Sequence, residues 1–166
     1  IPGVDFSGTV VESGHENFES GDNIIATGWR IGELYYGGYS QYAKVDGKFL
    51  VKRPKNLSSR QSMMLGTAGL TALQCAFAVK AREELLMGKK VEDVIVTGAS
   101  GGVGSMSVMV LNKLNCNVTA VTGKKENYDY LKTLGAKNLI NSSDLDKEAR
   151  PLDKGLYDGA VDTVGG

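Results

Sequence analysis

The chain has 166 residues, 42% of them hydrophobic, enough to bury a real core but with room for only one whole domain or two partial ones. Basic and acidic residues number 19 each, so the net charge is zero and the electrostatic footprint of a nucleic-acid or anionic-membrane binder is missing. The two cysteines, Cys75 and Cys116, form no C-x-x-C pair, which argues against a disulfide scaffold and a structural zinc site.

Up to about Pro54 the pattern is β-rich. Val4–Val11 and Asn23–Thr27 read as strands, separated by a polar, glycine-bearing loop from Glu12 to Asp22. Tyr39–Val45 and Lys48–Lys52 flank Asp46-Gly47, a dipeptide that predicts a two-residue hairpin because both central positions then need positive φ. The aromatic, glycine-rich stretch Gly28–Gly38 could line a pocket or simply turn a corner. After Arg53-Pro54-Lys55-Asn56 the period changes. Ser58 with Gln61 is a capping-box signature that opens a helix through Met63, Met64 and Leu65. A second helical run covers Leu70–Val79, with Cys75 in it as a small buried hydrophobe, and Gly66-Thr67-Ala68-Gly69 marks the junction. The domain boundary is placed near residue 57, where the period changes, giving partial domains over residues 1–56 and 57–166. No apolar run approaches the roughly eighteen residues of a membrane span and no leader peptide is visible, so a cytoplasmic location is the default. With Ile at residue 1, the sequence reads as a fragment open at both ends.

The second half is organised around residues 91–104. The β-branched run Val94-Ile95-Val96 passes through a glycine cluster into Ser105–Leu111, which has the apolar density of a buried helix. Read as Ala99-x-Gly101-x-x-Gly104, the cluster is a dinucleotide fingerprint with Ala at the first glycine. Gly101 lets backbone N–H groups approach a pyrophosphate, Gly104 lets helix and strand pack closely, and the helix N-terminus offers donors and a positive dipole end. Strands at Val118–Val121, Asn138–Asn141 and Gly159–Val164 follow, with a helix at Glu126–Leu134 between the first two. That alternation calls for an α/β fold with a parallel, Rossmann-type sheet.

Pro2–Val10, Gly21-Asp22, Gly37–Tyr42, Gly66–Ala72, Thr97–Gly104 and Asp162–Gly165, in this order, resemble the medium-chain dehydrogenase/reductase superfamily. The resemblance is to its quinone oxidoreductase branch and the acrylyl-CoA reductase-like subgroup. It implies part of a β-rich GroES-like substrate domain, then part of a Rossmann NADP-binding domain. It also implies zinc-independent, NADPH-dependent reduction of an activated C=C bond in a small molecule, an enoyl thioester, enone or quinone. The full-length protein is expected to be a homodimer without nucleic-acid or membrane partners. The family's Asn-Tyr-Lys-Asp motif is expected before residue 1, so no catalytic residue is assigned. A non-catalytic NADPH-binding protein of the same fold is the alternative, because a fold does not prove an activity.

Ser100, Gly101, Gly102 and Val103 match the family's pyrophosphate loop. Thr67 matches a family threonine beside the cofactor, and it reads equally as a helix N-cap. At the end of the second parallel strand an acid would bind the ribose of NAD and repel a 2′-phosphate. Thr122-Gly123-Lys124-Lys125 stands there instead and favours NADP, with Ser142 where relatives often carry a second basic residue. Glu126 is the counter-candidate, though a first-turn acid is also explained by the helix dipole. Gly14-His15-Glu16 imitates a zinc-ligand tripeptide but is out of register, leaving His15 as a loop residue. Tyr128-x-x-x-Lys132 imitates the short-chain dehydrogenase pair. It follows the glycine loop too closely, and Tyr128, Leu131 and Leu134 are instead spaced to pack against the sheet.

Overall fold

β1 (Asp5–Thr9), β2 (Asn23–Thr27) and β3 (Leu50–Lys52) form an antiparallel sheet in the order β1-β2-β3. The register pairs Asp5 with Thr27 and Ile25 with both Ser7 and Val51. Ala26, Ile31 and Phe49 make its small core, with Phe6, Val45 and Leu50 against them. The computed structural model describes residues 1–85, 87–145 and 155–165. They fall into two units, Ile1–Thr67 and Ala68–Gly166.

Two sequence expectations fail in the first unit. Tyr39–Val45 forms no strand, and Asp46-Gly47 makes no hairpin: Gly47–Phe49 is a 3-10 turn leading into β3, which pairs with β2. Asp46, at φ −67°, caps this turn by accepting the Lys48 N–H at 3.0 Å. A Cβ on Gly47 would lie 2.5 Å from the His15 ring, so this glycine serves a close approach rather than a reversed turn. The stretch Gly28–Gly38 turns a corner. Trp29 and Arg30 take left-handed φ of 54° and 61°, Ile31 is fully buried, and the Trp29 ring stacks on Phe49 with centroids 5.1 Å apart.

α1 spans Ser59–Leu85 and is broken at Gly66, whose φ of 48° and ψ of −153° no helix contains. The capping box forms as expected, with the Ser58 N–H donating to Gln61 Oε1 at 2.9 Å and the Gln61 N–H to Ser58 Oγ at 3.2 Å. The two compact units meet next to this break, at Thr67 and Ala68. By length and composition Ser59–Glu84 would suffice to cross a membrane, contrary to the expectation that no such run exists. The break interrupts it, and Ala72 and Ala76 are fully buried.

The second unit carries a parallel sheet of β4 (Asp93–Val96), β5 (Asn117–Val121), β6 (Asn138–Ile140) and β7 (Gly159–Val161), in the order β6-β5-β4-β7. Val94, Val96, Val118 and Ala120 are fully buried on one face, and Thr119 and Val121 are buried on the other, as expected of inner strands covered on both faces. α2 (Gly102–Lys113) and α3 (Tyr128–Thr133) join them. Val108, Leu111 and Leu131 complete the core, while Cys75 is only half-buried at its margin. Both helices end in Schellman motifs. Asn115 at φ 61° sends the Cys116 N–H to the Leu111 carbonyl, and Gly135 at φ 104° sends the Ala136 N–H to that of Leu131. α3 is shorter than the helix expected from Glu126, because Lys125–Asn127 wind as a 3-10 turn.

Candidate functional site

The chain leaves β4, crosses to β5 and β6 on one side, and later returns as β7 on the other, so the strand order reverses at β4. Crevices at such a switch point, beyond the carboxyl ends of the strands, are where doubly wound sheets take their ligands. The loop Thr97–Gly101 straddles that point. The Thr97 N–H donates to the Val161 carbonyl at 3.0 Å on the β7 side, and the Ala99 N–H to the Val121 carbonyl at 3.0 Å on the β5 side.

The glycines of this loop have separate jobs. Gly98 carries the positive φ, 55°, so the tight turn falls one residue before Ala99 and a methyl group is tolerated there, fully buried. A Cβ on Gly104 would meet the Gly98 carbonyl oxygen at 2.3 Å and the Ala99 Cα at 2.8 Å. Only glycine lets α2 start this close to the strand end. Gly101 is the N-cap of α2, no side chain caps the helix, and its first turn holds no acid. The leading N–H groups therefore have no carboxylate of the first turn competing for them.

At the end of β5 the expected residues come together. Thr122 is only 4% exposed, and its hydroxyl lies 2.9 Å from Ser100 Oγ while accepting the Lys124 N–H at 3.2 Å. The same hydroxyl contact ties the fingerprint loop to the strand end. The Ser142 N–H reaches the Thr122 carbonyl at 3.4 Å, and Ser142 Oγ sits where a Cβ on Gly123 would be 3.0 Å away. Lys124, Lys125 and Glu126 are exposed, and among the described residues none of them joins an ion pair.

Thr67 belongs to the first unit. Its N–H donates to Asp5 Oδ2 at 2.8 Å and its hydroxyl to Asp5 Oδ1 at 2.6 Å. The same carboxylate would be 2.5 Å from a Cβ on Gly66, so the break in α1 and the orientation of Thr67 share one clasp. Sequence reasoning missed Asp5, and likewise Thr97, Asp162 and Thr163. The Thr97 hydroxyl donates to Asp162 Oδ1 and accepts the Thr163 N–H at 3.0 Å, and Thr163 Oγ1 donates to the Thr97 carbonyl at 2.9 Å. The Thr97 hydroxyl, then the Val164 and Gly165 N–H groups, hold the Asp162 carboxyl below the usual aspartate range. A hydroxyl and a carboxylate directly after two apolar strands are a signal only once those strands are known to pair. Among the described residues no group of three or more His, Cys, Asp or Glu side chains is placed to hold a metal ion.

Comparison with known proteins agrees with this geometry. The family model described as zinc-binding dehydrogenase matches residues 102–166. The probable acrylyl-CoA reductase AcuI of Escherichia coli is 43% identical over 165 residues, covering 99% of this chain and 50% of that protein. The putative quinone oxidoreductase YhfP of Bacillus subtilis is 45% identical over 167 residues, covering 100% of this chain and 50% of that protein. The crystal structure of the yhdH oxidoreductase from Salmonella enterica in complex with NADP superposes with a TM-score of 0.90, at 45% identity over 100% of this chain and 50% of that one. Over its whole length the chain is similar to these quinone oxidoreductases and acrylyl-CoA reductases. Bacillus subtilis yhfP with NAD bound also superposes, with a TM-score of 0.86 at 45% identity, over 99% of this chain and 50% of that one. The chain spans about half the length of the curated relatives it matches. As in those neighbours, the parallel sheet is of Rossmann type and follows an antiparallel sheet.

Proposed function

We propose that the complete protein is an NADPH-dependent oxidoreductase reducing an activated C=C bond, and that this chain supplies its dinucleotide-binding loop. The observation that carries the reading is the uncapped, acid-free N-terminus of α2 at the switch point, backed against Gly98 through Gly104. In this reading residues 1–56 belong to the substrate domain and residues 57–166 to the NADP-binding domain, and the protein acts as a cytoplasmic homodimer on a small molecule.

The residues fit the cofactor. Ser100, Gly101, Gly102 and Val103 would hold the pyrophosphate with backbone N–H groups and the Ser100 hydroxyl, the helix dipole opposing its charge. Lys124 would face the 2′-phosphate, with Gly123 giving close backbone approach and Ser142 a hydroxyl. Thr122, buried and bonded to Ser100, fixes the spacing between the two phosphate sites. Thr67, oriented by Asp5, is assigned to the nicotinamide side. A reduced nicotinamide held there would supply the hydride for reduction of an enoyl thioester, enone or quinone-type acceptor. The chain's own part is to orient the dinucleotide and hold its charge, which lowers the entropic cost of reaction.

The related yhdH structure holds NADP and yhfP holds NAD, so the preference of this chain rests on its own β5 end. Thr122-Gly123-Lys124-Lys125 places two cations and no acid directly after the strand, which supports NADP. The test is to compare NADPH with NADH oxidation by the complete protein, offering acryloyl-CoA, a simple enone and a quinone. NADPH-only turnover of the thioester supports the acrylyl-CoA reductase assignment. Equal use of NADH would refute the role of Lys124. NADPH binding without turnover of any acceptor would favour the non-catalytic alternative.

A further inference from the structure

The pairing of β4 with β7 ends, at both limits, on an aspartate of the β7 segment. At the amino ends, Asp158 Oδ2 accepts the Glu92 and Asp93 N–H groups, each at 3.1 Å. At the carboxyl ends, Asp162 accepts the Thr97 hydroxyl and the Val164 N–H, the latter at 3.2 Å. The strand ladder itself runs only from Val94 with Gly159 to Val96 with Val161. Both clips therefore act just beyond it, where backbone pairing would otherwise fray. Only the second lies at the switch-point crevice.

The second clip is also the more elaborate. Asp162 accepts the hydrogen bond of the Thr97 hydroxyl, which leaves Thr97 Oγ1 to accept from the Thr163 N–H, and Thr163 Oγ1 donates to the Thr97 carbonyl. These bonds draw Thr163 so close to Gly98 that a Cβ there would be 2.3 Å from Thr163 Oγ1. The next residues of the loop, Ala99 to Gly101, lead directly into α2. One wall of the crevice is the fingerprint loop and the other is Asp162–Gly165, and the Thr97 hydroxyl joins them. Stability alone does not call for this arrangement at one end and a plain backbone clip at the other.

We propose that Asp162 is a positioning residue for the dinucleotide, acting through Thr97 and Thr163 to set the spacing between the fingerprint loop and the β7 end. The inference rests on the nucleotide-binding reading of the loop. It has a sign that distinguishes it from plain charge effects. Removing a carboxylate near an anion's site strengthens anion binding on Coulombic grounds, whereas loss of a positioning residue weakens it.

The experiment measures, in the complete protein, the affinity for NADPH, the affinity for adenosine 2′,5′-bisphosphate, and Tm. The bisphosphate carries the adenosine, the 2′-phosphate and a single 5′-phosphate, lacks the nicotinamide half, and so does not span the crevice. Asp162→Asn and Thr97→Val are expected to weaken NADPH binding about tenfold, as when a charge-assisted hydrogen bond becomes neutral or is lost. Bisphosphate affinity should stay unchanged, and Thr97→Ser, which keeps the hydroxyl, should bind NADPH like the parent. Asp158→Asn should lower Tm without moving either affinity. Unchanged or tighter NADPH binding in Asp162→Asn would overturn the proposal, as would equal loss of both ligands. Failure of the unsubstituted protein to bind either ligand would overturn the nucleotide reading and this inference with it.

Discussion

Replacing Gly104 by Ala tests how closely α2 is seated. The added Cβ would stand 2.3 Å from the Gly98 oxygen and 2.8 Å from both the Ala99 Cα and the Gly98 carbonyl carbon. All three are backbone atoms, so no rotamer change relieves the overlap and the start of α2 must move by about 1 Å. Overpacking of this kind costs about 1–3 kcal/mol, against about 1 kcal/mol regained because Ala is the better helix former. A net loss of up to about 2 kcal/mol is expected, read as a lower denaturant midpoint at constant slope. Gly102→Ala is the control: it gains the same propensity, and its Cβ would meet only the Ala68 Cβ, at an ordinary 3.4 Å. Displaced N–H groups should also weaken NADPH binding in Gly104→Ala, measured by calorimetry. Equal stability of the two variants would refute the close-approach argument.

Ser107 is fully buried in α2 and its Oγ has no hydrogen-bond partner among the described residues, so Ser107→Ala should raise stability by about 1 kcal/mol in chemical denaturation. Ser58→Ala removes the capping box and should cost about 1 kcal/mol by the same assay. The Asp93 and Glu92 N–H groups, then Lys89, hold the Asp158 carboxyl below the usual aspartate range. A depressed folded value adds stability above the unfolded value and loses it as pH falls. The difference in Tm between the parent and Asp158→Asn should therefore be full at neutral pH, begin to shrink as pH falls through about 3.9, and vanish only below the depressed folded value. Lys124→Asp should lower the preference for NADPH over NADH by about tenfold or more in initial-rate assays, since it removes a charged hydrogen bond and adds repulsion.

What was legible in the sequence was local. The Ser58–Gln61 box, the β4–glycine–α2 unit and the break at Gly66 are each written within a few residues. Structure adds the reason for each, such as Gly98 rather than Ala99 taking the positive φ. The misreadings came from distant contacts. Asp46-Gly47 carries a hairpin signature, yet the ring of His15 claims the space beside Gly47, and Asp46 serves as a cap instead. Thr122 reads as a hydroxyl at the end of β5, and the structure adds its contacts with Ser100 Oγ and the Lys124 N–H. Asp5 and Asp162 stayed silent because their partners, Thr67 and Thr97, lie |i−j| = 62 and 65 residues away along the chain. Pattern within a window does not reach that far.

The Thr97–Asp162 contact also governs how this sequence can be recombined with those of its relatives. A crossover placed anywhere between Thr97 and Asp162 gives the two ends of the clip different parents, even when each exchanged segment is a whole strand or helix. Gly98 and Thr163 would be separated by the same cut, so a donor with any larger residue at the former, or a different hydroxyl geometry at the latter, would meet a mismatch at 2.3 Å. Chimeras that exchange residues 97–163 as one block keep the partners together, and library designs for altered cofactor use should treat that block as indivisible.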